Sequence, residues 1–451
     1  MTIRKIAMTS CAALALFAGV SALAQDSKPL MDINGNVCTG ILDRTRQCIP
    51  KDVSQNSVDH PYRDAGLAFQ SRPPANGFGR RRRELIYVAV PGGYSDQEGS
   101  ETSSGEGIIV IDADNDYRVV GRIALQNTPL SQVPESVSGM MASPATNMVY
   151  VSTRGHLYAV DLLTDKTVWS NTYEPGTCCE RGQVTPDGLT LEVGSNLKNF
   201  HRVIDARTGT VKGIIQTPES MSNHNMAMSP DGKTVFDAPN GLTMTIASMN
   251  TMKAIKTITF DDHIRVFVIN HDASKIYANL NNLLGFEVAD VDTGKVIKRV
   301  EAPAALWKAK WADPNQRFFG HGAPQHGIAL TPDENEIWVA DDINNQILVY
   351  DNDGDNQTLD MGKSFKTPHA VNWITMGLDG KRAYMSSGDV VDVKSHQIIA
   401  QLKDEHGNIL YSEKVLDTLF DTSGHLLRTV NQFSEGDPQA VATSLSGGKT
   451  K

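Results

Sequence analysis

The sequence predicts an all-β fold, a seven-bladed β-propeller, on three observations. A short turn rich in Pro, Asp and Gly recurs along the chain, strands rich in aromatic and β-branched residues follow it, and no long segment keeps a helical period. The turns begin at Ser143, Thr185, Ser229, Asn270, Thr331 and Gly377, at intervals of 42, 44, 41, 61 and 46 residues. Four strands in a repeat of about 42 residues are typical of a propeller blade.

The first 24 residues have the features of a secretory signal peptide. Arg4 and Lys5 form a basic start, Ala12 to Val20 an apolar stretch, and Ala22-Leu23-Ala24 a cleavage site with small residues. We therefore expect an exported protein, periplasmic or secreted. No other apolar run approaches the roughly 18 residues needed to cross a bilayer, so no membrane span is expected.

Residues 25–83 are rich in Pro, Gly, Asn and Gln and are predicted to form an N-terminal extension before the propeller at 84–430 and a C-terminal tail at 431–451. Four cysteines remain after the signal peptide, and an even number in an oxidising compartment suggests disulfides. Cys38 and Cys48 could close a small loop. The adjacent Cys178 and Cys179 could form a strained vicinal disulfide, stay as thiols or find other partners.

The two chain ends are predicted to close the ring together. The first repeat begins with a strand of the second type, Glu84 to Val90, and lacks an inner strand. Near the C-terminus, Glu413 to Phe420 is a spare strand that would complete this blade and cover its open edge. Six or eight blades are the alternatives to seven. The one long interval is explained by an inserted loop at residues 303–322.

Composition and motifs exclude several function classes. The chain has 42 Lys+Arg against 52 Asp+Glu, a net charge of -10, which argues against nucleic acid as a partner. It contains no Gly-x-Ser-x-Gly elbow, no complete Gly-x-x-x-x-Gly-Lys-Ser/Thr phosphate-binding loop, and no His-Glu-x-x-His or Cys-x-x-Cys-His sequence. Any chemistry must therefore come from residues that the fold brings together.

Aligning the repeats against each other gives a candidate site. The position five residues before each turn is polar in all six repeats: Ser138, Glu180, His224, Arg265, His326 and Asn372. This position lies at the start of the inner strand, and inner strands surround the axial channel, so these side chains are predicted to converge. The alternative is that they only line a channel filled with water and tie the blades together.

The residue types point to proton transfer, anion binding and metal binding. The predicted catalytic residues are His224, His326, Glu180 and Arg265. The predicted substrate-binding residues are Arg181, Asn225, His263, Asn372 and Trp373. One divalent metal ion is predicted on His224, His326 and His321.

The turns, the Asp-x-x-Thr-Gly motifs and segments such as LLGFEVADVDTGKV and HGIALTPDENEIWVADD resemble the YVTN-repeat β-propeller family of exported bacterial proteins, over roughly residues 84–430. The resemblance implies the propeller fold and leaves the reaction open. The histidine-rich ring also resembles the arrangement in propeller lyases such as virginiamycin lyase and oligogalacturonate lyase. That likeness implies a metal-assisted site with a carboxylate anchored by Arg265.

Three functions follow as hypotheses. The leading one is a metal-assisted lyase or hydrolase acting on a small acidic or carbohydrate-like molecule. The second is an oxidoreductase with a metal or, less favoured, a quinone cofactor pressed against a Cys178-Cys179 ring. The third is a binding platform that uses Trp307 and Trp311 of the inserted loop to hold another exported protein or a polysaccharide. The sequence leaves the oligomeric state open.

Overall fold

The structure, a computed structural model, describes residues 37–39, 47–49, 83–90, 107–125, 137–153, 155–174, 177–196, 198–217, 223–239, 241–307 and 324–431. Within these residues the chain forms one separate hairpin and seven antiparallel sheets arranged in a ring. The predicted seven-bladed β-propeller is confirmed. The predicted signal peptide, most of the predicted extension and the predicted tail after residue 431 lie outside the described residues.

The hairpin and the first three blades contain β1 (Val37–Thr39) and β2 (Gln47–Ile49); in blade 1, β3 (Arg83–Val90), β4 (Gly107–Asp112) and β5 (Arg118–Ile123); in blade 2, β6 (Val137–Ser143), β7 (Met148–Thr153), β8 (His156–Asp161) and β9 (Thr167–Thr172); in blade 3, β10 (Cys179–Val184), β11 (Thr190–Ser195), β12 (Phe200–Asp205) and β13 (Val211–Gln216). Blades 2 and 3 each hold four strands in sequence order, the first innermost.

The remaining blades contain, in blade 4, β14 (Asn223–Met228), β15 (Thr234–Pro239), β16 (Thr243–Ser248) and β17 (Lys253–Thr259); in blade 5, β18 (Ile264–Ile269), β19 (Lys275–Leu280), β20 (Gly285–Asp290) and β21 (Lys295–Glu301); in blade 6, β22 (Gln325–Leu330), β23 (Glu336–Asp341), β24 (Gln346–Asn352), β25 (Gln357–Leu359) and β26 (Phe365–Lys366); in blade 7, β27 (Ile374–Met376), β28 (Arg382–Met385), β29 (Asp389–Asp392) and β30 (Gln397–Gln401); and back in blade 1, β31 (Val415–Phe420) and β32 (Leu426–Thr429). A short 3-10 helix covers Ala304–Leu306. Among the residues described, no helix has the length and apolar character needed to cross a bilayer.

The recurring turns join each inner strand to the next strand in the same way. In blade 3 the Thr185 amide donates to the Thr190 carbonyl over 2.9 Å, and the Gly188 amide donates to the Thr185 carbonyl over 2.7 Å. Gly188 has φ 74°, a left-handed conformation that glycine adopts without steric cost. This requirement explains why the fourth turn residue is glycine in several repeats, and so why the motif is visible in the sequence.

Neighbouring blades pack face to face, and the apolar side chains between them are almost fully buried. Between blades 4 and 5, for example, Phe236, Phe260 and Phe267 belong to one buried cluster and are at most 3% exposed. Each strand contributes alternate residues to the two faces of its sheet, and both faces are covered by neighbouring blades. Residues on both faces of the inner strands are therefore buried. In the outer strands, such as β9 and β13, most residues are exposed or half-buried.

The ring is closed by pairing between the two ends of the described chain. β31 pairs antiparallel with β3, from Arg83 opposite Phe420 to Val88 opposite Val415. The Thr418 hydroxyl also donates to the Leu85 carbonyl over 2.5 Å. The predicted closing strand is confirmed, although the strand begins at Val415 instead of Glu413. A further strand, β32, was not predicted from the sequence and pairs with the other side of β31.

Replacing Leu416 with alanine should destabilise the fold by about 2–4 kcal/mol, because this fully buried residue packs the closing strand into the core of blades 1 and 2. Chemical denaturation measures the difference. The matched control is Ile399→Ala on the outer strand of blade 7, where the side chain is 52% exposed and the cost should stay within about 0.5 kcal/mol. Equal losses in the two variants would show that closure adds no stability.

Candidate functional site

The predicted polar position coincides with a β-bulge in the inner strands of blades 2 to 6. The pairing register shifts between Val137 and Gly139, Cys179 and Gly182, Asn223 and Asn225, Ile264 and Phe267, and Gln325 and Ile328. The residues passed over include Ser138, Glu180, Arg181, His224, Arg265 and His326. A bulge redirects side chains and twists its strand, and bulges are frequent next to active sites. The repeated offset in the sequence therefore marks a repeated structural irregularity.

Glu413 lies at the centre of a buried group of charged side chains, at the end of the channel where the inner strands begin. Its Oε2 atom accepts a hydrogen bond from Arg181 Nη2 over 2.5 Å and another from Lys414 Nζ over 2.8 Å. His326 Nδ1 lies 3.8 Å from Oε1 of the same carboxylate. These four side chains are at most 3% exposed, although they come from blades 1, 3 and 6. Their charges are therefore held close together in a medium of low dielectric constant.

The ring of Trp373 forms one wall of this group. The Arg181 guanidinium lies 3.9 Å from the ring centroid and Lys414 Nζ lies 5.7 Å from it. The His326 ring centroid is 5.6 Å away. Cations are attracted to the face of an indole ring, and the attraction grows when water is excluded. Trp373 thus fixes the two cations that also bind Glu413.

Asparagine side chains extend the contacts to blades 4 and 5. Arg181 Nη1 donates to Asn225 Oδ1 over 3.2 Å, and Asn225 Nδ2 donates to the backbone carbonyl of Arg265. The Arg265 side chain in turn donates through Nε to Asn281 Oδ1 over 2.5 Å. We call the connected residues the axial cluster; they are Arg181, Asn225, Arg265, His326, Asn372, Trp373, Glu413 and Lys414.

His326 is held in one orientation by the neighbouring blade. Its Nδ1 atom lies 3.3 Å from the carbonyl oxygen of Asn372, which can only accept. Nδ1 must therefore carry the proton, and in the neutral ring Nε2 is left as an acceptor. The side chain has no exposed surface. This arrangement is that of a positioned base.

Burial shifts the ionisation of the cations in the axial cluster. The pKa of Lys414 is lowered to about 8, first because burial disfavours the charged ammonium and second because Arg181 is close by, while Glu413 opposes the shift. Burial also lowers the pKa of Arg265. A lysine that titrates near neutral pH can exchange a proton with a ligand, as perturbed groups at functional sites do.

The structure brings together six of the residues predicted to form the site: Arg181, Asn225, Arg265, His326, Asn372 and Trp373. Glu180 is half-buried in the blade 3 bulge and is close enough to Lys414 to act on the charge of this lysine. His263 has a side chain that is 43% exposed, and its Nδ1 atom lies 3.1 Å from Asp262 Oδ1. The backbone of His224 lies in β14, but its side chain and all of His321 are outside the described part, so the predicted metal set stays a prediction.

The sequence analysis did not assign Glu413 and Lys414 to the site. Both directly precede the closing strand β31. Counting five residues back from the turn that begins at Asp421 gives Leu416, which is apolar and fully buried. The offset that works in the other repeats therefore fails in the blade built from both chain ends. A pair of opposite charges before an apolar strand is the only signal that the sequence offers there.

The adjacent cysteines form the predicted pair. The sulfur atoms of Cys178 and Cys179 are 2.08 Å apart, at disulfide bonding distance, and both residues are fully buried. They pack with Met141, Tyr150 and Leu191 between blades 2 and 3, so the ring presents no exposed face to a quinone. Cys38 and Cys48 lie opposite each other in the β1–β2 register, but their side chains are not described, and that bridge stays a prediction.

A second buried group lies between blades 3 and 4 and could hold a metal ion. His201 Nδ1 is 3.1 Å from Glu192 Oε1 and 3.4 Å from Asp237 Oδ1, and all three side chains are fully buried. We call these residues the interblade triad. They lie on β12, β11 and β15. No sequence signal marked them, because the three positions belong to different strands of two blades.

The pKa values of the two carboxyl groups in the interblade triad are shifted in opposite directions. Burial raises the pKa of Asp237 well above its ordinary value, and the nearby Glu192 adds to the shift. Burial also opposes ionisation of Glu192, but its contacts with His201 and, to a smaller extent, with Asp237 and Gln183 together lower the pKa of this carboxyl. Two carboxylates beside each other in an apolar interior cannot both carry a charge without a cation.

A cavity of about 110 Å³ occupies the other end of the channel. It is lined by the ends of the inner strands and the turns that follow, including Met141, Gln183, Met228 and Ile269, and by Thr429 to Asn431 at the end of β32. Gln183 is shared with the interblade triad, because its Nε2 atom donates to Glu192 Oε2 over 2.8 Å. The channel wall and the triad are therefore in direct contact.

Comparison with known proteins adds little beyond the architecture. No family model matches the chain, and no curated protein does. Among solved structures, the chain is similar to the Kuenenia stuttgartiensis hydrazine synthase, with 16% sequence identity and a TM-score of 0.49, covering 66% of this chain and 90% of that one. At this level the likeness carries no argument about activity. Membership of the YVTN-repeat family stays a prediction.

Changing Glu413 to glutamine should destabilise the protein by about 3–5 kcal/mol, because Arg181 and Lys414 would be left buried without their counterion. Combining Glu413→Gln with Arg181→Met should cost less than the sum of the single changes, with a coupling of about 0.5–3 kcal/mol. Urea denaturation of the four proteins of this cycle measures the coupling. Strict additivity would contradict a shared charge group.

Proposed function

We propose that this protein is an enzyme of the lyase or hydrolase class, which binds the carboxylate of a small acidic or carbohydrate-like substrate at the axial cluster. The observation that carries the proposal is the convergence of Arg181, Lys414 and His326, from three blades, on Glu413. Groups that bind anions and groups that transfer protons are thus within a few ångströms of each other. A channel that only held water would not require this combination.

The cations of the axial cluster are the groups that would bind an anionic ligand. Arg181 and Lys414 are buried and contact the carboxylate of Glu413, and Glu180 is a second carboxylate close enough to act on Lys414. A guanidinium binds a carboxylate through two parallel hydrogen bonds, which fixes both position and orientation. Burial strengthens such contacts because water competes less for the ligand.

Proton transfer would follow from the ionisation of Lys414. When an arginine neutralises the substrate carboxylate, the neighbouring C–H bond becomes more acidic. Neutral Lys414 can take that proton, the electron pair forms a double bond, the C–O bond on the next carbon breaks, and the leaving oxygen takes up a proton from water. For hydrolysis, Nε2 of His326 would instead accept a proton from water as the water oxygen bonds to the substrate, and the protonated ring would pass this proton to the leaving oxygen. Both routes use the same anion-binding groups.

Other features bear on the alternative functions. The buried Cys178–Cys179 pair gives no support to a stacked quinone, and Trp307 packs against a core cluster. Trp311 lies outside the described residues.

We also propose that the protein is exported, because bonded adjacent cysteines suit an oxidising compartment.

Incubation of the full chain with oligogalacturonates, and separately with lactones, tests the proposed reaction. Lyase activity appears as ultraviolet absorbance of an unsaturated product, and hydrolysis as released acid. Lys414→Met should lower kcat/KM by about 100-fold or more. Lys403→Met, an exposed lysine on a nearby segment, is the matched control and should keep the wild-type rate. If no substrate is cleaved and calorimetry detects no uronate binding, the proposal is wrong.

The pH profile separates a catalytic Lys414 from a structural one. Because the neutral amine is the base, kcat/KM should rise about tenfold per pH unit at low pH and level off above about 8. A profile measured from pH 5 to pH 10 on a good substrate tests this. A rate that does not change across pH 8 would contradict the assignment of Lys414 as the proton acceptor.

A further inference from the structure

We propose that the interblade triad of Glu192, His201 and Asp237 is a binding site for one divalent transition-metal ion, which joins blade 3 to blade 4. This site is separate from the axial cluster and does not depend on the proposed reaction. The ion would be of the zinc class, which combines imidazole nitrogen with carboxylate oxygen. Its role would be structural, because the three side chains have no exposed surface.

The spacing of the donor atoms suits a tetrahedral ion. Bonds of about 2.0–2.2 Å place neighbouring ligands of a tetrahedral zinc about 3.3–3.6 Å apart. His201 Nδ1 is 3.1 Å from Glu192 Oε1 and 3.4 Å from Asp237 Oδ1. One ligand atom from each of the three residues can be chosen so that all lie within 4.8 Å of one another. Only a small movement is needed to bring the three onto one ion.

The donor atoms of the triad lack other partners. Apart from the close approaches of these residues to one another, both ring nitrogens of His201, both carboxylate oxygens of Asp237 and Oε1 of Glu192 are buried without a hydrogen-bond partner. A buried polar atom without a partner costs about 1–3 kcal/mol, and more if it is charged. A divalent cation would satisfy an atom from each residue and neutralise two carboxylates. The geometry therefore fits an ion better than it fits a hydrogen-bond network.

Neighbouring residues supply the rest of the environment that a metal site needs. Gln183 holds Oε2 of Glu192 with its amide, as residues behind metal ligands commonly do. Thr245 lies opposite Asp237 in the β15–β16 register, and its buried hydroxyl also has no hydrogen-bond partner. Cross-strand neighbours share a face of the sheet, so Thr245 is placed to offer a fourth oxygen.

The channel cavity provides a way in for the ion. Gln183 lines the cavity and also contacts Glu192, so rotation of this one side chain would open the wall between them. An ion can thus reach the triad after folding, without separation of the blades.

The experiment uses the full chain, treated with a chelator, dialysed, and then offered Zn²⁺ or Co²⁺. Elemental analysis should find about one metal per chain, and the bound Co²⁺ should give the visible absorbance of a four-coordinate site. The Tm should rise by a few degrees with added Zn²⁺, because the ion binds only the folded chain. Uptake well below one equivalent, with no change in Tm, would overturn the proposal.

Asp237→Asn is the decisive variant, because asparagine has the shape of a protonated carboxyl but is a poor metal ligand. It should fold, as judged by circular dichroism, yet lose the stoichiometric metal and the Tm response. The matched control is Asp389→Asn, which removes a buried carboxylate in blade 7 and should keep both the stoichiometric metal and the Tm response. If Asp237→Asn does not fold, His201→Gln replaces it. If Asp237→Asn or His201→Gln binds as much metal as the wild type, the ion binds elsewhere.

Discussion

The pairing of β31 with β3 is the interaction on which the rest of the molecule depends. It turns an open row of seven sheets into a ring and covers the inner side of β3, with β31 lying between β3 and β32. The same pairing carries Glu413 and Lys414, which directly precede β31, to the axis. Closure and site assembly are therefore one event, since Arg181 and His326 meet their partner carboxylate only when the last strand is in place.

The axial cluster shows how the fold makes chemistry from ordinary residues. Inner-strand bulges release side chains from strict alternation at the start of five blades, and the ring makes them converge. Burial then sets their properties: Glu413 is held by two cations, and Lys414 becomes less basic beside Arg181. The interblade triad obeys the same rule that a buried carboxylate needs a cation, a proton or a donor, but it lies between two sheets and off the axis.

The fold could be predicted from the sequence because the same turn recurs in blade after blade. Its fourth residue adopts a left-handed conformation, and glycine at this position, as at Gly188, makes the spacing of the repeats visible. The same regularity located Arg181, Arg265 and His326, whose offset from the turn is nearly constant. It could not locate Glu413, because blade 1 combines strands from both chain ends and the offset falls on Leu416. It could not locate Glu192, His201 and Asp237 either, because their contact depends on how two neighbouring sheets face each other, which no spacing along the chain encodes.

Carboxylate binding at the axial cluster can be tested with a crystal structure of the full chain soaked with galacturonic acid. We expect the sugar at the axis, with its carboxylate within hydrogen-bond distance of Arg181 or Lys414 and with Trp373 beside the ring. Sugar bound only at the outer surface, with the Arg181–Glu413 pair unchanged and no ligand at the axis, would contradict it.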